Sequence, residues 1–145
     1  MRQLLIGSRA NTTHRHNSDC DYIADLEAYN AIARGLKCPT VFHDKSHISL
    51  HPARGCILDF ELAWPDSTGE ALLDLCEKNP CKCYASYATD WNPIASEGVL
   101  LALKLSHRFK KNSPHFEKTR NDILALRAKG IVVPECLADW LKRRT

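Results

Sequence analysis

The chain has 145 residues, 44% of them apolar and 26% charged, with a formal net charge of +3, which is enough sequence to bury one real core and excludes a disordered or low-complexity polymer. A charge of +3 is too small to argue nucleic-acid binding by itself, and no stretch approaches the roughly 18 apolar residues of a membrane span. The apolar start Leu4-Leu5-Ile6 is too short for a signal-peptide h-region, and the cysteines are seven, an odd number, several of them within predicted strands and helices; the expectation is a cytoplasmic protein with reduced thiols rather than a disulfide framework.

Met1 to Ile6 reads as a first strand, stopped by Gly7-Ser8. A glycine after a strand lets the backbone approach a ligand closely, and Ser8 adds a hydroxyl and an N–H at a helix start, where phosphate is favoured. The segment to about His16 is expected to be a short helix or turn, because Asn11, Thr12 and Thr13 are weak helix formers. Arg9, His14, Arg15 and His16 crowd it, and Arg9 or Arg15 could neutralise a phosphate bound at Gly7-Ser8.

Ser18-Asp19-Cys20-Asp21-Tyr22-Ile23 follows as a second strand. Side chains alternate along a strand, so Asp19 and Asp21 point the same way and repel; a divalent cation between their oxygens makes the pair tolerable. Asp25 caps a helix to about Leu36, with Leu26, Tyr29, Ala33 and Leu36 at helical spacing. Thr40-Val41-Phe42-His43 and His47-Ile48-Ser49-Leu50-His51 read as short strands about the turn 44–46. His43, His47 and His51 are four apart, which on a helix would be metal-ligand spacing. The β-branched setting favours strands instead.

Gly55-Cys56-Ile57-Leu58-Asp59-Phe60-Glu61-Leu62-Ala63-Trp64-Pro65 is a strand ended by proline. Asp59 and Glu61 share one face, and a carboxylate in so apolar a strand is costly unless paired or bound to metal. Ser67-Thr68-Gly69-Glu70 has the form of a capping box opening a helix through about Lys78, broken by Pro80. Cys81-Lys82-Cys83, with Cys76 upstream, has neither the spacing nor the fourth ligand of a zinc site. Asn92-Pro93 reads as cap and first position of a helix through Phe109 with the apolar stripe Ile94, Leu101, Leu105 and Phe109. Lys104, His107 and Arg108 lie around another face. Ser113-Pro114 repeats the signal for a helix to about Lys129, closed by Gly130, with His115, Lys118 and Asp122 on one side. Pro134 begins a last helical turn or two, with Leu137, Trp140 and Leu141 packing and Lys142-Arg143-Arg144 left in solvent.

The order apolar-Gly7-Ser8, ten residues, Asp19-Cys20-Asp21-Tyr22, then Asp59 on a later strand before Pro65 resembles the signature of the DNA polymerase beta-like nucleotidyltransferase superfamily. On that pattern Asp59 is the third acid, with Glu61 as the alternative. The stretches Leu103 to Phe109 and His115 to Asp122 resemble, more weakly, the helical C-terminal part of small, phage-type members. The resemblance implies an α/β (α+β) fold with a small, mixed, twisted sheet and flanking helices over residues 1–91, and a C-terminal helical segment over 92–145 packed on that core.

It also implies a magnesium-dependent activity, in which a nucleoside monophosphate passes from ATP or another nucleoside triphosphate to an acceptor hydroxyl and pyrophosphate leaves. Asp19, Asp21 and Asp59 would hold two Mg²⁺ ions about 4 Å apart, with Mn²⁺ as a substitute. Gly7, Ser8, Arg9 and Lys118 would bind the nucleotide. The resemblance leaves the acceptor open among RNA, a tRNA end, a protein hydroxyl, an antibiotic or a second nucleotide, reached alone or as a homo-oligomer, in the host cytoplasm if the chain is phage-encoded. Cys20 stands where a larger aliphatic residue is usual. The other readings are a non-catalytic protein of the same fold, engaging RNA or an acidic partner through its basic helices, and a metal-dependent phosphohydrolase built on the histidines, His43-Asp44 among them.

Overall fold

The computed structural model describes residues 1–7, 19–106 and 116–144. Five strands, β1 (Gln3–Ile6), β2 (Cys20–Ala24), β3 (Thr40–Phe42), β4 (His47–Leu50) and β5 (Leu58–Leu62), form one mixed sheet in the order β1-β2-β5-β4-β3. β2 and β5 run parallel; every other pairing is antiparallel. The fold is therefore a mixed α+β sheet with flanking helices, as the sequence implies.

Helix α1 (Leu26–Leu36) lies on one face. It starts where the Asp25 side chain accepts a hydrogen bond from the Ala28 N–H (2.8 Å), supplying the cap expected there. Beneath it Phe60 stacks on Tyr22 and meets Tyr29 edge-on, centroids 5.4 and 5.2 Å apart. Ala24, Ile48, Leu50 and Leu62 complete this half of the core.

The opposite face carries α2 (Thr68–Lys78), the short α3 (Pro80–Cys83), α4 (Glu97–Ser106), α5 (Phe116–Ala128) and α6 (Ala138–Arg144). Leu4 and Ile23 of the sheet pack there with Leu72, Leu73 and Cys76 of α2, Val99, Leu100 and Leu103 of α4, and Trp140. Ser67 caps α2 by accepting from the Glu70 N–H (3.1 Å), while the Glu70 carboxylate takes the N–H of Asp66, one residue outside the expected box. Pro80 ends α2 and opens α3, as its fixed φ suits a first helical position.

Three expectations are corrected. The helix expected from Asn92-Pro93 starts only at Glu97, because Pro93 and Ala95 bond instead to the free edge of β1: the Leu5 N–H donates to Pro93 O (3.1 Å) and the Ala95 N–H to Leu5 O (3.0 Å). Ser96 then takes the cap, accepting from the Val99 N–H. Second, α4 is not a helix with one apolar stripe. Seven of its ten residues are buried, since it lies between the sheet-side cluster and α5, whose Ile123 and Leu126 meet Leu101 and Leu105. Third, the basic C-terminus is not all in solvent. Arg144 folds back onto the sheet: its Nη1 donates to Glu61 Oε2 (2.8 Å) and Thr68 Oγ1 (3.0 Å), its Nη2 to Glu61 Oε1 (2.6 Å). The guanidinium also lies over the Trp140 ring, 5.4 Å from its centroid. Phe109 and Ser113-Pro114 lie outside the described residues.

Candidate active site

Register decides which acids meet. Asp21 of β2 pairs with Asp59 of β5, which pairs with Ser49 of β4, which pairs with Val41 of β3; on the other side Asp21 pairs with Ile6 of β1. Paired residues in a sheet project to the same face, so Ile6, Asp21, Asp59, Ser49 and Val41 form one row across all five strands. Asp19, two residues before Asp21, adds to that face. The neighbouring row is Leu4, Ile23, Glu61 and His47. Its Leu4 and Ile23 lie in the core under α2 and α4. Asp19, Asp21 and Asp59 are only partly buried.

Asp59 is the member in hydrogen-bonding reach of both other acids. Burial, and then the charges of Asp59 and Asp19, push the Asp21 carboxyl up to about 7 against the opposing pull of Lys104. Burial, with the charge and hydrogen bond of Asp59, raises Asp19 as well, opposed by Lys118 and His51. Helices α4 and α5 therefore bring one lysine each to the acids, joined to one another by Lys104 Nζ and Asp122 Oδ2 at 3.0 Å.

Gly7 explains its own place in the motif. Its φ is +74°, and a Cβ there would lie 2.2 Å from Asp21 Oδ2. A side chain at this position would therefore be both strained and in collision with the acid. Gly7 thus lies against the Asp21 carboxylate. Ser8 and Arg9, with His14, Arg15, His16, His107, Arg108 and His115, lie outside the described residues.

Glu61, the alternative third acid, shares the face but is engaged elsewhere. Arg144 holds both its oxygens, and His47 Nε2 stands 3.8 Å away. Gly69 in the first turn of α2 makes room for it, since a Cβ there would come within 2.9 Å of Oε2. Burial works to raise the Glu61 carboxyl, and His47 and Arg144 outweigh it, holding it at about 2. Among the described residues, His47 is engaged by Asp44 and Glu61, and His43 by Ser49. Of the cysteines, Cys81 is exposed while Cys83 is buried near Cys136, their sulfurs 3.9 Å apart. Cys20 and Cys56 bring their sulfurs to 3.0 Å of one another.

Among the described residues no group of three or more His, Cys, Asp or Glu side chains is placed to hold a metal ion. The acids are an open row with Asp59 in contact with both others. By donor type alone, an all-carboxylate set would suit Mg²⁺ or Mn²⁺, completed by water and substrate phosphate, better than a soft metal. Sequence reasoning passed over Ser49 altogether and weighed His43 only as a metal ligand. The signal available was a lone serine in the apolar strand 47–50, on the face opposite Ile48 and Leu50.

No helix among the described residues is long and apolar enough to cross a membrane. A search of curated proteins finds no match. Among solved structures, an antigenic nucleotidyltransferase-like protein from Paracoccidioides brasiliensis is similar over 98% of this chain and 76% of that one, with a TM-score of 0.52 and 11% identity. At that identity the likeness shows the fold alone. The family model for a domain of unknown function, DUF7275, matches residues 99–145, and that of another, DUF7277, matches residues 3–76, just over half of the 145. The chain therefore belongs to the DUF7277 family and is built on a nucleotidyltransferase-like fold.

Proposed function

We propose that the chain is a nucleotidyltransferase that moves a nucleoside monophosphate from a nucleoside triphosphate to an acceptor hydroxyl. The observation that carries this reading is the register of β2 and β5, which sets Asp21 beside Asp59 on one face, with Asp19 in reach and Gly7 against Asp21. A structural role gives no reason to gather three repelling carboxylates where one is driven up to about 7. Asp19, Asp21 and Asp59 would hold Mg²⁺ or Mn²⁺. Bound there, the cation neutralises phosphate charge and lowers the pKa of the attacking hydroxyl.

The chain's own residues divide the remaining work. Gly7, having no side chain, allows a triphosphate to approach the acid row; Ser8 and Arg9 keep the phosphate-binding role the motif assigns them. Lys118 and Lys104 supply positive charge on the side of α4 and α5, placed to offset charge that gathers on the leaving pyrophosphate. The acceptor oxygen forms a bond to the α-phosphorus as the bond to the bridging oxygen breaks, and the hydroxyl proton passes to a carboxylate oxygen of Asp59. RNA, a tRNA end and a protein hydroxyl are all acceptors of the right chemistry.

The test is incubation with each α-labelled nucleoside triphosphate, Mg²⁺ or Mn²⁺, and RNA or lysate, comparing the native chain with Asp21→Asn. Label transfer that vanishes in Asp21→Asn supports the reading. Absence of transfer from all four nucleotides, together with tight RNA binding that ignores Mg²⁺, would replace it with a non-catalytic binding protein of the same fold.

A further inference from the structure

The row that carries Asp21 and Asp59 continues onto Ser49 of β4. Ser49 is 2% exposed, so its hydroxyl has lost water and needs partners within the protein. It has two. Oγ donates to Asp59 Oδ1, and Oγ stands 2.7 Å from His43 Nε2.

The directions of these bonds follow from what each group can give. An ionised carboxylate only accepts, so the serine proton is committed to Asp59, and the imidazole must be the donor to Oγ. His43 therefore carries a proton on Nε2, and the chain of donors runs from His43 through Ser49 to Asp59. His43 lies one residue past the end of β3, where its backbone N–H donates to His47 O (2.9 Å). The ring is thus anchored to the β3-β4 turn and reaches the acid row from the exposed edge of the sheet.

We propose that His43 and Ser49 are positioning residues for Asp59. They hold its carboxylate in the orientation from which it reaches both Asp19 and Asp21, in the way that outer groups hold metal-ligating carboxylates. The inference rests on the metal-dependent reading above, but it concerns residues that no acidic motif includes. Without the Ser49 proton and the His43 donor behind it, the Asp59 side chain loses its fixed rotamer.

The test is Mn²⁺ binding to the full chain, read from the electron paramagnetic resonance signal of the free ion, which needs neither acceptor nor turnover. Ser49→Ala and His43→Leu are expected to weaken Mn²⁺ binding by about 10–100-fold. In His43→Gln an amide N–H can still donate to Oγ, so affinity should return to near the native value, which a merely structural role would not require. Asp59→Asn serves as the reference for loss of the ligand itself. Native affinity in both Ser49→Ala and His43→Leu, with Asp59→Asn impaired, would overturn the inference and leave the metal reading standing. Equal losses in His43→Gln and His43→Leu would also overturn it. A native chain that binds no Mn²⁺ would remove the metal reading and this inference together.

Discussion

Replacing Glu61 with Gln removes the charge that ties the last helix to the sheet. The side chains of Glu61 and Arg144 are only 15% and 12% exposed, so this is close to a buried ion pair, with hydrogen bonds on both carboxylate oxygens. Holding the carboxyl at about 2, against an ordinary glutamate near 4.3, corresponds to about 3 kcal/mol in favour of the charged folded form. Removing one partner of a buried pair costs a similar ~3–5 kcal/mol. For a chain of this length, that loss lowers Tm by roughly 10 °C. Urea and thermal unfolding at pH 7 would measure it. Because the folded pKa is depressed, the stabilisation is fully present above the unfolded value and is lost as pH falls through the folded one. The gap between native and Glu61→Gln should therefore be constant above about pH 5 and shrink from pH 4.5 toward pH 2. Arg144→Met should cost as much as Glu61→Gln. The double variant Glu61→Leu with Arg144→Met should recover most of the loss, since neither charge is then left buried alone. A Glu61→Gln variant within about 0.5 kcal/mol of native at pH 7 would refute this account of the C-terminal anchor.

Gly7→Ala places a Cβ against Asp21 Oδ2 at a backbone φ of +74°; stability is expected to fall by about 1–2 kcal/mol in unfolding titrations, while Mn²⁺ binding falls far more, because the acid must move. Equal affinity in the two chains would contradict the close packing of Gly7 on the acid. Asp21→Asn should instead stabilise the metal-free fold. With its carboxyl raised to about 7, the folded state is destabilised by the charge at pH 8 and regains stability as pH falls toward 4, so the substitution is expected to add on the order of 4 kcal/mol at pH 8 and little at pH 4. A loss of stability at pH 8 would mean that the three acids do not repel as the geometry requires.

Local rules made much of this fold legible. Asp25 and Ser67 announced two helices through their caps, and strand alternation put Asp19 with Asp21 and Asp59 with Glu61. What alternation within single strands could not supply was register between them, which sets Asp59 rather than Glu61 beside Asp21. The partner of Glu61 was equally hidden. Arg144 reads as a solvated tail residue until the last helix is packed and its guanidinium falls on Trp140 and the sheet. Asn92-Pro93 misled because an edge strand competed for the backbone groups that a helix would have used. Lys104 was legible as one cation of a helix face, but not that α4 is buried nearly all round and brings this lysine to Asp21. Ser49 carries no motif, and its relation to Asp59 and to His43 exists only once β4 is laid beside β5.

The most direct test of the central claim is diffraction from crystals soaked in Mn²⁺ with a non-hydrolysable nucleoside triphosphate, using the anomalous signal to locate the metal. Mn²⁺ is expected on the carboxylates of Asp19, Asp21 and Asp59, with the terminal phosphates at Gly7. Mn²⁺ on His43 and His47 with none at the acid row, or a nucleotide bound away from Gly7, would contradict it.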